Sequence, residues 1–511
     1  MTFDKKIASV LGVMTAVSVL AGCGAAQRSE MPLDEIQENQ KGFTTGASVH
    51  DPSILKADGT YFIFGSHMDA AKSDDLVKWS MFASGVDEDN KLFDNLFDEP
   101  MEAFSFVGKN EAGGYSVWAP DVVYNKKMQK YMMYFCTTST YKKSTLCFAT
   151  ADKPEGPYTF QDVLIHSGFT NQDFDTTNML TINPESKMTD YLKAGDYDNL
   201  RWPNCIDPTV FYDKEGKMWM TYGSWSGGIF ILEIDEETGY PIYPEANEEA
   251  GIDTYYGKHL LGGGHNSVEG PYILYDEESG CYYLFVSYGA LQAKGGYQIR
   301  VFRSENPDGP YVDTAGQEMG MVVDHSGYGL KMMGNYTFPS LSFEYMAPGH
   351  NSAFTDDDGK SYIVYHQRFK NGTEAHEPRV HQIFFNKEGW PVAAPFNTSG
   401  ETLNKDGYKE KEVLGTYYYV NHGTDINSKV HKYEALVFEE GGVIKDESGK
   451  EAGSFSLEKG TPYVSITLGG QTYEGIMIEM KEEAGNQVMC FTAAGSNNET
   501  IWGAHYMKED K

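Results

Sequence analysis

Five segments of one design recur along the chain, and they limit its fold more than any other feature. They are HDPSILKADGTYFIFGS from His50, WAPDVVYNKKMQKYMMYFC from Trp118, CIDPTVFYDKEGKMWMTYGS from Cys205, VEGPYILYDEESGCYYLFVSYG from Val268 and HNSAFTDDDGKSYIVYHQ from His350. Each is a polar head, a short strand, a polar turn and a second strand. Aromatic and branched residues pack well on a pleated surface, so tracts such as YFIF, YMMYF and YYLFVSYG favour strands over helices. The heads Asp51, Asp121, Asp207, Glu269 and His350 recur at intervals of roughly 60 to 90 residues, longer than common propeller repeats, with the excess in loops. Repeated four-stranded sheets set radially make a β-propeller, and five is within the usual range of about four to eight blades. The expected class is all-β. If each head opens the innermost strand of a blade, all five converge at one end of the central channel. The rival is a β-sandwich or several small β domains, and five matching heads weigh against it.

Convergence matters because most of the heads are acids. The chain carries 41 basic against 74 acidic residues, a formal charge of −33. Binding phosphates needs clustered Lys and Arg, so nucleic acid and other polyanions are excluded as partners. Two or three carboxylates around a pocket for a neutral ligand suit glycoside hydrolysis, in which one acid protonates the leaving oxygen and one base activates water. The two roles need different proton affinities, and a third acid nearby can keep the donor protonated. Asp51, Asp207 and Glu269 supply such a trio.

Seven ordered motifs carry a family likeness: HDPS around Asp51, WAPDV around Asp121, NCIDPTV around Asp207, GSWSGG from Gly223, NSVEGPY around Glu269, GHNSAF around His350 and RVHQIFFNKEGWPVAAP from Arg379. Over about residues 45 to 400 the chain resembles glycoside hydrolase family 43, five-bladed propellers acting on arabinan and xylan, and most closely its endo-α-1,5-L-arabinanase branch. The resemblance implies an inverting reaction on internal α-1,5 bonds of arabinan, with Asp51 as general base, Glu269 as general acid and Asp207 tuning and orienting the acid. It also implies substrate contacts at Asp51, Trp118, Asp121, Asn204, Ser224, Trp225 and Ser226. For Asp121 a purely structural turn is an equal reading, and Asn204 with Ser224 to Ser226 could simply complete loop ends. His350 matches a histidine that touches a central calcium held mostly by water. Taken alone it reads as a core or hydrogen-bonding histidine, because calcium prefers oxygen. Cys205 stands where many relatives carry Ala, a nearly volume-conserving change. Two alternatives stay open: an exo-acting α-L-arabinofuranosidase or β-xylosidase on the same propeller, and a glycan-binding propeller without catalysis.

The N-terminus reads as an export signal over residues 1 to 22, with Lys5 and Lys6 before an apolar run too short for a comfortable membrane span. It ends in Leu20-Ala21-Gly22-Cys23, which resembles a bacterial lipobox. Cys23 would then carry a lipid and anchor the exported protein to the membrane, facing outside. Residues 23 to 41 read as a polar tether, 42 to 400 as the propeller and 410 to 511 as a small β-barrel-like domain. The remaining five cysteines lack metal-site spacing and an even count, so they imply neither a zinc site nor a full disulfide framework.

Overall fold

Each repeat opens an antiparallel sheet whose first three strands follow chain order. The computed structural model describes residues 28 to 509, and its blades begin at strands Ser53–Ala57, Val117–Asn125, Thr209–Tyr212, Val268–Asp276 and Tyr345–Thr355. Four blades have four strands; the third is widened to six by Pro241–Ile242 and Ile252–Asp253. The five-bladed arrangement expected from the repeats is thus the observed one.

The heads differ from the expectation in one respect. Each blade has a left-handed residue at its entrance: Asp51 (φ 56°), Ala119 (φ 41°), Asp207 (φ 58°), Gly270 (φ 57°) and His350 (φ 46°), the fifth blade adding Ala347 (φ 50°) just before. Proline follows it in four blades and Asn351 in the fifth. Such a conformation cannot continue a pleated strand, and the ladders show register shifts at Trp118/Asp121, Glu269/Tyr272 and Gly349/Ser352. For a residue other than glycine it costs on the order of 1–3 kcal/mol, which the surrounding packing must offset. Aligned on this residue, Asp51, Asp207 and His350 are equivalent. Glu269 stands one position earlier, and Asp121 two positions further in, beside Ser53, Thr209 and Ser352.

That inner position stitches the blades. Ser352 Oγ donates to Pro52 O at 2.7 Å, joining blade five to blade one. Ser53 Oγ donates to Asp121 Oδ1, and Val210 N–H to Asp121 Oδ2 at 2.6 Å, joining blades one, two and three. Thr209 Oγ1 donates to Pro271 O at 2.5 Å, and His350 N–H to Ser287 Oγ at 2.7 Å, which completes the ring. Apolar clusters fill the seams behind these bonds, such as Phe64, Phe135 and Tyr158 between the first two blades.

After the last blade strand, Pro391–Ala393, the chain enters an eight-stranded antiparallel barrel running from Gly415–Asn421 to Thr500–Glu509, the last strand pairing with the first. Alternation sets its two faces. Ile501 points into an interior filled by Tyr417, Phe438, Phe455 and Phe491, whereas Trp502, Ala504 and Tyr506 point outward and pack on Leu330, Met332, Tyr336 and Trp390 of the propeller.

The stretch expected as a tether is ordered from Arg28 onward. Arg28–Glu30 pairs with Met507 to Glu509 on the final barrel strand, and the helix Leu33–Glu38 buries Ile36 in the core shared by the two domains. Met31 joins Ile36 in that core, and backbone pairing with the last strand holds the rest of this polar segment. Cys23 and the export signal lie outside the described residues. The five cysteines from Cys136 onward are unpaired thiols, all buried except the half-buried Cys281.

Candidate active site

The entrances of blades one, three and four bring Asp51, Asp207 and Glu269 together. Gly270 N–H donates to Asp207 Oδ2 at 3.2 Å, so the residue beside Glu269 is fastened to the second carboxylate. All three acids are largely withdrawn from solvent, but their surroundings differ.

Around Asp51 three imidazoles present Nδ1: His50 at 2.7 Å from Oδ2, His350 at 3.1 Å and His366 at 3.6 Å from Oδ1. Ser66 Oγ adds a hydrogen bond. Burial alone would raise the Asp51 pKa, yet His350, His50 and His366 together hold it well below the ordinary value. Burial lowers the pKa of His350, against the pull of Asp51, and takes that of His366 well below the ordinary value. The Asp51 backbone N–H donates to His366 Nδ1 at 3.4 Å, which makes that nitrogen an acceptor, so the lowering falls mainly to His350 and His50, with the Ser66 hydroxyl beside them.

Glu269 accepts from Tyr297 OH at 2.7 Å on Oε1, and from Trp225 Nε1 at 2.7 Å and Ser224 Oγ at 3.3 Å on Oε2. Burial outweighs these donors and pushes its pKa up, helped by the negative Asp51. Asp207 is raised well above the usual carboxylate range by burial, then by the charges of Glu269 and Asp51, with only the Gly270 amide opposing. One carboxylate is poised to accept a proton and its neighbours to hold one.

A cleft of about 830 Å³ opens over Glu269, lined by Trp118, Asn204, Ser224, Trp225 and His265 among others. Of the residues expected to contact substrate, Trp118, Asn204, Ser224 and Trp225 line this cleft, and Asp51 does not. Ser226 is buried and outside the lining, its carbonyl accepting from His265 N–H at 2.8 Å. Asp121 takes the structural reading, since both carboxylate oxygens are occupied in the blade seams; burial raises its pKa to about 6. A larger cleft of about 1130 Å³ between the last two blades and the barrel contains none of the trio, and chemistry rather than volume selects the site.

Sequence reading passed over His50, His366 and Tyr297. His50 stacks on His366 with centroids 4.1 Å apart, and His366 on Tyr297 at 5.7 Å, linking the surroundings of Asp51 to the phenol that holds Glu269. His50 directly precedes Asp51 and could have been flagged. His366 comes from the second strand of the fifth blade and Tyr297 from the loop before the third strand of Glu269's own blade, and neither carries a local signal. The barrel also reaches this stack: Val430, on its first loop, packs against the cluster of Tyr297, Met346 and Ala347, while Gln298 and Arg300 donate to Asp425 O and Thr424 O.

The donors near His350 give a mixed test for calcium, which takes six to eight oxygens at about 2.3–2.6 Å. His50, Asp51 and His366 offer ligand atoms within 4.8 Å of one another, a nitrogen-rich set. They do not form an oxygen cage, and a calcium at His350 would keep most of its shell as water.

Gly270 is the hinge of this arrangement. A Cβ there would lie 3.1 Å from the His350 ring, on a backbone with φ 57°. Gly270→Ala is expected to cost at least about 1 kcal/mol in denaturant unfolding and to lower turnover by displacing Glu269. Wild-type stability and rate would remove the hinge role.

Buried acids with opposed proton affinities, beneath a cleft lined by indole, hydroxyl and amide groups on a five-bladed propeller, define a glycoside hydrolase. The chain belongs to glycosyl hydrolases family 43. The family's profile matches residues 45–185 and 164–391, and that of its C-terminal lipocalin-like domain matches 395–503. It is 38% identical over 480 residues to extracellular endo-alpha-(1->5)-L-arabinanase 2 of Bacillus subtilis (strain 168), covering 91% of this chain and 94% of the relative. To the extracellular endo-alpha-(1->5)-L-arabinanase of Thermotoga petrophila it is 36% identical, covering 89% and 93%. A crystal structure of endo-1,5-alpha-L-arabinanase from Thermotoga petrophila RKU-1 superposes with TM-score 0.78 at 36% identity, covering 91% of this chain and 99% of that one.

Proposed function

We propose that the protein is an exported endo-acting α-1,5-L-arabinanase that inverts the anomeric centre. The observation that carries the mechanism is the split in proton affinity: Asp51 held low, Glu269 and Asp207 raised. In the proposed step a water oxygen attacks the anomeric carbon while Asp51 takes one of its protons. The bond from that carbon to the bridging oxygen breaks, and Glu269 gives its proton to the departing oxygen. Asp207, through its bond to the Gly270 amide beside Glu269, orients the acid, while burial and the negative Asp51 keep that acid protonated. The endo-arabinanase activity for which both relatives are named supports arabinan as substrate and internal cleavage as the mode. Incubation with linear arabinan tests this: early random shortening of the polymer is expected, release of monomers from the start would make the enzyme exo-acting, and no new reducing ends would leave only a binding protein.

Calcium at His350 is a further part of the proposal, as a water-held ion. A ligand bound only by the folded state stabilises it by about 2.7 kcal/mol at a hundredfold excess over Kd. Chelation should therefore lower the unfolding temperature of the wild type and not that of His350→Ala. Equal responses would dismiss the ion. Export and lipid anchoring at Cys23 rest on the N-terminal sequence, and the relatives' extracellular names support export. Mass spectrometry of the mature N-terminus should find lipid on Cys23, and an unmodified cysteine would refute the anchor.

A further inference from the structure

Two apolar side chains stand in open solvent on the connection between strands Gln298–Ser304 and Leu330–Met333: Met321 is 71% exposed and Val323 105%. This stretch is fastened at several points. Gly262 N–H donates to Met319 O at 3.0 Å, Asn266 Nδ2 to Val322 O at 2.8 Å, and His325 Nε2 lies 2.9 Å from Ser267 Oγ. Those partners, Gly262 to Ser267, lead directly into Glu269. Leu200, 48% exposed, joins the same ridge: its carbonyl accepts from Gly264 N–H at 2.9 Å, and a Cβ on Gly264 would meet Met321 Cγ at 2.6 Å. Folding gains little from holding such side chains in water, and a grouped apolar patch on an anchored loop marks a contact surface.

The ridge has a cavity on each side. One is the cleft over Glu269. The other, about 960 Å³, is lined by Leu200, Arg201, Trp202, His259 and Met321 among others, with the Arg201 guanidinium 4.7 Å over the Trp202 ring. Two tight segments divide them, Trp225 to Gly228 and Gly262 to His265, joined by His265 N–H to Ser226 O at 2.8 Å. No side chain thickens the wall at Gly227, where a Cβ would stand 2.3 Å from Arg201 O.

We infer that the ridge of Leu200, Met321 and Val323, with the second cavity behind it, is a distal subsite that grips the same uncharged polysaccharide after it leaves the catalytic cleft. This rests on the arabinan reading. The two cavities stand back to back on either side of one thin backbone wall, which favours one long ligand passing over the ridge against a separate partner. Sugar rings present apolar faces to Met and Val and hydroxyls to the polar groups of the second cavity. The subsite engages only chains long enough to cross the ridge.

The Met321→Ser/Val323→Ser double variant tests it, since both side chains are solvent-exposed and their loss spares the core. KM for linear arabinan is expected to rise about fivefold or more, as for removal of a buried apolar contact, with kcat unchanged and arabinotriose kinetics unaltered. A KM for the polymer equal to wild type, or an equal loss on polymer and trisaccharide, would overturn the subsite. So would self-association of the wild type in sedimentation that the variant abolishes, which would assign the ridge to a second copy of the chain. Failure of the wild type to cleave either substrate would remove the arabinan reading, and the subsite with it.

Discussion

Replacing Glu269 with Gln is expected to cut turnover on arabinan at least about a hundredfold, the low end for loss of a general acid, with the fold intact. The glutamine can keep the local hydrogen bonds. Its carbonyl can take the place of Oε2 and accept from Trp225 and Ser224, while its amide faces Tyr297, whose hydroxyl turns to accept. Substrate binding should then be close to wild type, so the loss falls on kcat rather than KM. An activated aryl arabinofuranoside needs little help from a proton donor, and on it the variant should lose much less. A comparable loss on both substrates would deny Glu269 the acid role.

Asp51→Asn should lose at least about a hundredfold on both substrates, because the amide cannot take the proton of the attacking water whatever the leaving group. The pH profiles separate the two residues further. Asp51 must be ionised, so wild-type activity is present above its depressed pKa and falls only as pH drops through it. Glu269 must be protonated, so activity falls as pH rises through its raised value. The residual activity of Asp51→Asn should lack the acid limb and that of Glu269→Gln the alkaline limb. An acid limb retained in Asp51→Asn would move the base to another residue.

Much of the fold is legible in the sequence because a propeller repeats one local solution. Strand, polar turn and strand are written five times, and the barrel shows the alternation that separates Ile501 from Trp502. Aligning the repeats on their acids, however, shifted two members, Glu269 by one position and Asp121 by two. Proline marks the register, since it follows the left-handed residue in four blades, and by that register Asp121 belongs with Ser53, Thr209 and Ser352 in the layer that ties blades together. The trio was readable because Asp51 and Asp207 occupy the left-handed position and Glu269 adjoins it. Its control was not, because His366 reaches it from the fifth blade and Tyr297 from a loop two strands beyond Glu269 in the fourth. Tyr297 is further backed by Val430 from a separate domain, at a sequence distance no local pattern spans. The stretch Arg28 to Glu38 misled for a related reason: it is polar in composition, and its order comes from a strand partner near the far end of the chain.

The division of labour between Asp51 and Glu269 has a direct stereochemical consequence. A base that activates water delivers oxygen to the face opposite the leaving group in one displacement, whereas a carboxylate that attacks carbon gives two displacements and restores the original configuration. Early proton NMR of linear α-1,5-arabinan hydrolysis, recorded before mutarotation mixes the anomers, reads this outcome. The account predicts the β-anomer at the newly formed reducing ends; initial release of the α-anomer would contradict it and make one of the carboxylates a nucleophile.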